Sequence, residues 1–188
     1  KPAASAPRAT GAPGGSGFAT DVAPRPAPAP PKPVTQQTTF TDTPAPPKPA
    51  QVPEALDFTA ETVDGASFSG ASLAGTNTVL WFWAPWCPVC ARGAGEVSDA
   101  ATELGSSVQF VGVGGLSGNR ADMQDFVRDT QTQQLTHLAD TDGALYTRFM
   151  VTKQHTFAFV SPDGTVQILN AYGTEPDLAA EARQRFGL

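Results

Sequence analysis

Cys87 and Cys90 are the only cysteines of the 188-residue chain, and they stand together in Trp86-Cys87-Pro88-Val89-Cys90, just after the apolar run Val79-Leu80-Trp81-Phe82-Trp83. Two thiols at this spacing can close a small ring and reopen it, so the pair proposes dithiol/disulfide chemistry. Two other uses compete. Half of a structural zinc site would need two more Cys or His ligands, and only His137 and His155 remain to supply them. A purely structural disulfide across so short a loop would stabilise little. Redox exchange is the preferred reading, because a lone Cys-X-X-Cys beside a strand and a helix fits it better than either alternative.

The run before the pair is short, aromatic and bounded by Asn77-Thr78 and Pro85, which reads as a buried strand over 78–83. The segment after it, Val89 to Leu104, is rich in Ala and Glu and reads as a helix. Cys87 then falls in the turn that feeds the helix, where unpaired amides and the positive end of the dipole favour a thiolate. Cys87 is therefore the expected attacking sulfur. Pro88 suits an early helical position, since its missing N–H is not needed there. Cys90 lies one turn further in on the same face, shielded from solvent, and is the expected resolving thiol.

The remaining elements alternate. Ala55 to Val63 reads as a strand ending at the Asp64-Gly65 turn, with Ser67-Phe68-Ser69 returning; Val108 to Val113 is a strand and Ala121 to Thr130 a helix. Leu135 to Leu138 reads as a short strand, Asp142 as the cap of a helix reaching Phe149, and Thr156–Val160 with Thr165–Leu169 as a hairpin. A last helix is expected over Glu175 to Phe186, with Pro176 near its start. Strand–helix–strand units followed by a hairpin predict an α/β domain, a mixed sheet with helices on both faces.

Composition divides the chain. Of its 18 prolines, 14 fall in residues 1–53, and that region also carries a Gly-Gly-Ser-Gly stretch. Residues 1–52 are expected to be a disordered, Pro/Ala-rich linker or stalk, and residues 53–188 one domain. Pro-X-X-Pro matches such as Pro28 to Pro31 are what such a composition yields by chance. The first 52 residues carry a net charge of +3, which leaves −9 on the domain out of −6 overall. An acidic globule of this kind predicts no nucleic-acid partner. No segment has the apolar length of a membrane span. A stalk ahead of a redox domain suits a secreted or cell-envelope protein, with a membrane tether through a preceding segment as a further option.

Taken together, Trp81-Phe82-Trp83-Ala84-Pro85-Trp86-Cys87-Pro88-Val89-Cys90, Val111-Gly112-Val113, Asp140-Thr141-Asp142-Gly143 and Phe157-Ala158-Phe159-Val160-Ser161-Pro162-Asp163-Gly164 resemble the thioredoxin superfamily. Within it, residues 54–188 resemble the TlpA/DsbE-like secreted branch and its actinobacterial MPT53-type members. The resemblance implies a thioredoxin-like fold and thiol/disulfide exchange in which Cys87 forms the mixed disulfide and Cys90 resolves it. It implies no cofactor. Trp86, beside the dithiol, is expected to contact a substrate, with packing on the first helix as the alternative, and Pro88, Val89 and Thr156 are the other expected substrate contacts.

The departures from that pattern bear on direction. Where the family has a cis-proline facing the dithiol, the segment reads Gln154-His155-Thr156, so His155 stands in its place. The first helix carries Gly93 and Gly95 where the family often has a Glu and a kinking Pro. Where thioredoxin buries an acid, this chain has Trp81, so no carboxylate is expected to take the proton of Cys90, which favours an oxidant or a slow exchanger over a thioredoxin-like reductant. An imidazole beside Cys87 would stabilise its thiolate and make the disulfide more oxidising. His155 could instead join Cys87 and Cys90 as a third ligand for copper, as in Sco-type proteins of the same superfamily, or occupy a loop and point to solvent. His137 is expected to be a partly exposed strand residue. Gly112-Val113-Gly114-Gly115 lacks the Lys-Ser/Thr that would hold phosphate. A peroxiredoxin reading fails, because that family's Pro and Thr before its reactive Cys are Leu80 and Ala84 here.

The expectation is an extracytoplasmic thiol/disulfide oxidoreductase, monomeric, acting on protein thiols and oxidising them, with a membrane redox partner as an open option. Its alternatives are a reductant for cytochrome c maturation and a copper metallochaperone built on Cys87, Cys90 and His155.

Overall fold

A computed structural model describes residues 51–188; the linker expected over residues 1–52 lies, but for its last two residues, outside the described residues. In chain order the elements are β1 (Thr59–Glu61), β2 (Ser67–Ser69), β3 (Asn77–Trp83), α1 (Pro88–Leu104), β4 (Val108–Gly114), α2 (Arg120–Asp129), β5 (Thr136–Ala139), α3 (Ala144–Arg148), β6 (Thr156–Val160), β7 (Val166–Asn170) and α4 (Leu178–Phe186). Strands β5-β4-β3-β6-β7 make one sheet. β3, β4 and β5 run parallel; β6 is antiparallel to β3, and β7 to β6. β3 is central and buried on both faces, which is why its sequence is a continuous apolar run rather than an alternating one.

Side chains alternate across that sheet. Val79, Trp81 and Trp83 of β3 join Phe157 and Phe159 of β6 against α1, α2 and α4. Leu80 and Phe82 point the other way, with Ala158 and Val160, onto α3 and Leu56. Helix α1 lies against the first face through Cys90, Ala94, Val97, Ala100 and Leu104, an i, i+3/i+4 stripe of mostly small residues. The helices thus cover both faces of a mixed sheet, as the order of elements predicts.

The glycines of β4 serve packing. A Cβ at Gly114 would stand 2.8 Å from the Trp83 ring, and one at Gly112 would collide with both His137 and Trp83. Gly115 lies against the Tyr146 ring in the same way. The bare backbone lets Trp83 lie across β4 and stack on Phe126 at 4.3 Å between centroids.

Beyond shifts of one residue at several ends, three assignments differ from the sequence reading. Residues 54–56 form a 3-10 turn rather than the start of a strand, because the turn carries Leu56 into the core beneath α3. The cap of α3 is chiefly Asp140, whose Oδ1 and Oδ2 accept the N–H groups of Leu145 and Tyr146 at 2.9 Å each; Asp142 takes only Ala144 N–H. Helix α4 begins at Leu178, three residues later than expected, and Pro176 precedes its cap. Asp177 accepts the Ala180 N–H and Glu96 of α1 that of Leu178, so two of the helix's otherwise unpaired donors are satisfied.

Candidate active site

Chain reversal from β3 into α1 brings the cysteines together. Cys87 N–H donates to Ala84 O at 3.0 Å and Ala91 N–H to Cys87 O at 3.1 Å, which fixes Cys87 at the N-cap with Pro88 as the first helical residue. The Cys87 sulfur accepts the Cys90 N–H at 3.1 Å. The two cysteines are joined as a disulfide, with Cα atoms 5.3 Å apart. One sulfur of the pair therefore already sits in the amide field at the start of a 17-residue helix, where a negative charge is stabilised once the disulfide opens.

Cys90 is 0 % exposed, and Cys87 is also buried, at 1 %. Around them Trp86 and Pro88 are exposed and Val89 half-buried. Thr156, expected to face substrate, is buried, and its hydroxyl donates to Lys153 O at 2.9 Å.

His155 does not point to solvent. It is 2 % exposed, in the left-handed region at φ 55°, edge-on to Phe157 and beneath Gly93 of α1. Burial, and then the nearby Arg92 charge, push its pKa below the ordinary histidine value, with Glu175 opposing them. Burial thus disfavours the charged form of the ring. His155 lines a cavity of about 530 Å³ between α1 and α4 whose described lining residues include neither cysteine. Among the described residues no group of three or more His, Cys, Asp or Glu is placed to hold a metal ion while the cysteines are joined.

Gly93 is the position that makes room for His155, a pairing that sequence reasoning missed in noting only that the helix departs from the family there. A Cβ at Gly93 would stand 2.5 Å from the imidazole Cε1 and 3.0 Å from Nε2. Gly93→Ala should displace the ring or lift α1, costing about 1–3 kcal/mol of stability by overpacking. It should also shift the midpoint of the Cys87–Cys90 couple in a glutathione buffer, whereas an unchanged midpoint would detach His155 from the dithiol.

Two further features escaped the sequence reading. His137 is 2 % exposed rather than half-open, set edge-on to Trp81 and Trp83, with Nε2 3.0 Å from Thr132 O. Trp86 donates its indole N–H to Leu116 O at 3.1 Å. The one buried carboxylate among the described residues, Asp140, is spent on the first turn of α3, on the face of the sheet away from Cys90.

Comparison with known proteins agrees with this architecture. A family model described as the AhpC/TSA family matches residues 53–169. The soluble secreted antigen MPT53 of Mycobacterium tuberculosis and Mycobacterium bovis is 43 % identical over 120 residues, which are 62 % of this chain and 66 % of that protein. The chain thus spans just under two thirds of the length of the curated relatives it matches. Among solved structures, MTB DsbF in its mixed oxidised and reduced forms is similar at 42 % identity and a TM-score of 0.66, covering 71 % of this chain and 98 % of that one. A secreted Mycobacterium tuberculosis disulfide oxidoreductase homologous to E. coli DsbE is similar at 37 % identity and a TM-score of 0.64, covering 70 % and 98 %. The fold is thioredoxin-like.

Proposed function

Because the chain belongs to the AhpC/TSA family, we propose that it is an extracytoplasmic thiol/disulfide oxidoreductase that transfers its Cys87–Cys90 disulfide to protein thiols. The observation that carries the reading is the disulfide at the cap of α1, with one sulfur accepting the Cys90 N–H. The secreted character of its relatives supports the location. Among the described residues, no helix is long and apolar enough to cross a membrane.

A substrate thiolate attacks the Cys87 sulfur; a substrate–Cys87 bond forms, the Cys87–Cys90 bond breaks, and Cys90 leaves with the electron pair and takes a proton from water. A second substrate thiolate then attacks the substrate sulfur of the mixed disulfide. Cys87 departs as a thiolate, held by the Cys90 N–H and the helix terminus. Two substrate thiols become a disulfide and the pair becomes a dithiol, which a separate disulfide donor must reoxidise.

What stabilises the reduced pair supports the oxidising direction. A Cys87 thiolate at a helix cap is a good leaving group, and no buried carboxylate among the described residues lies on its face of the sheet to act as a base for Cys90. His155 is proposed as a positioning residue, acting through Gly93 and α1 rather than through charge. Equilibration of the intact chain with glutathione buffers, alongside His155→Pro, tests both. A midpoint nearer about −120 mV than about −270 mV fits a disulfide donor. A thioredoxin-like value would reverse the direction, and an identical midpoint in His155→Pro would remove the role of His155.

A further inference from the structure

We propose that the cavity between α1 and α4 binds a small organic cation, an aliphatic di- or polyamine, at a site separate from the dithiol. Along α1, Arg92, Glu96, Asp99 and Glu103 recur at helical spacing and line the cavity, and the segment that enters α4 adds Glu175 and Asp177. Five carboxylates and one guanidinium thus surround a space of about 530 Å³, the size of a small-molecule site. Small residues open it, because Gly93 and Ala100 of α1 and Ala179 of α4 stand where longer side chains would fill the gap. Two of the carboxylates hold the walls. Glu96 Oε1 accepts the Leu178 N–H at 2.9 Å and Glu103 pairs with Arg183, so α1 and α4 are tied together before any ligand arrives. Asp99 and Glu175 take part in no ion pair among the described residues.

His155 gives the cavity a second mark of a ligand. It lines the same space, is 2 % exposed, and its buried Nδ1 has no hydrogen-bond partner among the described residues. A buried nitrogen left unpaired is costly, and a donor from outside the chain would satisfy it. The carboxylates favour positive charge on that donor, while burial disfavours placing the charge on the ring itself. A bare metal ion does not suit the arrangement, since among the described residues no group of three or more His, Cys, Asp or Glu is placed to hold one. A charge carried on an alkyl frame does. Ala100, Phe157, Pro176 and Ala179 offer apolar wall to methylenes, while ammonium groups at the ends of the frame reach the carboxylates of α1 and of the α4 entry. Neither cysteine lines the space, so binding requires no exchange chemistry and stands apart from the reading above.

The test titrates spermidine into the intact oxidised chain at fixed pH and ionic strength and follows the imidazole NMR signals of its two histidines, His137 and His155. The His155 signals should shift and saturate along a single-site isotherm, whereas those of His137, which does not line this cavity, should stay in place. Asp99→Asn together with Glu175→Gln should weaken the affinity by roughly tenfold, as two part-exposed charge contacts would. Asp57→Asn together with Asp129→Asn, which removes the same charge away from the cavity, should leave it unchanged. All four residues are exposed, so the comparison does not turn on folding. Equal weakening by the two double variants overturns the site, because the amine would then follow net charge alone. A shift at both histidines, no saturable shift at His155, or an equal response to Mg²⁺ overturns it as well. A dilysine peptide that moves the His155 signals where spermidine does not would overturn the free amine in favour of a partner's side chain.

Discussion

Cys90→Ser should stop turnover and leave the protein covalently joined to its substrate. Without a thiol at position 90 the Cys87–Cys90 disulfide that substrate thiols reduce cannot form, so oxidase turnover should fall by at least about 10³-fold, and a hydroxyl there cannot displace a substrate held on Cys87. The backbone contact that stabilises Cys87 remains, because the Cys90 N–H that reaches its sulfur at 3.1 Å belongs to the main chain. The adduct should therefore still form when the variant meets a substrate already carrying a disulfide, and it should run as a heavier band that reductant collapses on a gel. Cys87→Ser should give neither turnover nor adduct. An adduct on Cys90 in that variant would exchange the two roles.

Acid should weaken the fold through a residue far from the chemistry. Burial holds the His137 pKa down at about 4, against the opposing pull of Thr132 O and the Asp64 charge. An unfolded histidine titrates near about 6.5, so between these values the unfolded chain binds a proton that the folded one refuses. Stability is then fully present above about pH 6.5 and is lost as the pH falls through about 4, by about 3 kcal/mol at the bottom of the window. His155, also lowered by burial, adds in the same direction, whereas the buried carboxyl of Asp140, raised by burial, works against it. Urea unfolding at pH 7 and pH 4 should show the loss, and His137→Gln should remove most of it. Equal pH dependence in the two proteins would mean that His137 does not titrate on unfolding.

The dithiol was legible because its geometry is local. Cys87 and Cys90 are separated by three residues, and the apolar run before them and the Ala-rich run after them place both at a strand–helix junction from periodicity alone. The central strand was equally plain, since a run buried on both faces leaves an unbroken apolar signature. Small terminal shifts came from competition between nearby caps. Asp177 and not Pro176 opens α4, and Asp140 rather than Asp142 carries α3, because each cap depends on where the backbone turns as well as on residue type.

The histidines and the loop leucine are another matter. His155 is buried because Gly93, far earlier in the chain, leaves a gap in α1 above it, and His137 is buried because Gly112 and the two tryptophans of β3 close around it. Leu116 is tied to the cysteine turn because an indole from that turn bonds its carbonyl. The chemistry of the pair, the run of elements and the acidic character of the domain follow from patterns confined to a turn or two of chain. Which imidazole is desolvated, which sulfur-bearing residue is covered and which loop is tied to the cysteine turn depend on contacts between segments distant in sequence. Those contacts exist only once the helices have settled on the sheet, because desolvation and steric fit belong to the packed interface and not to any one stretch of residues.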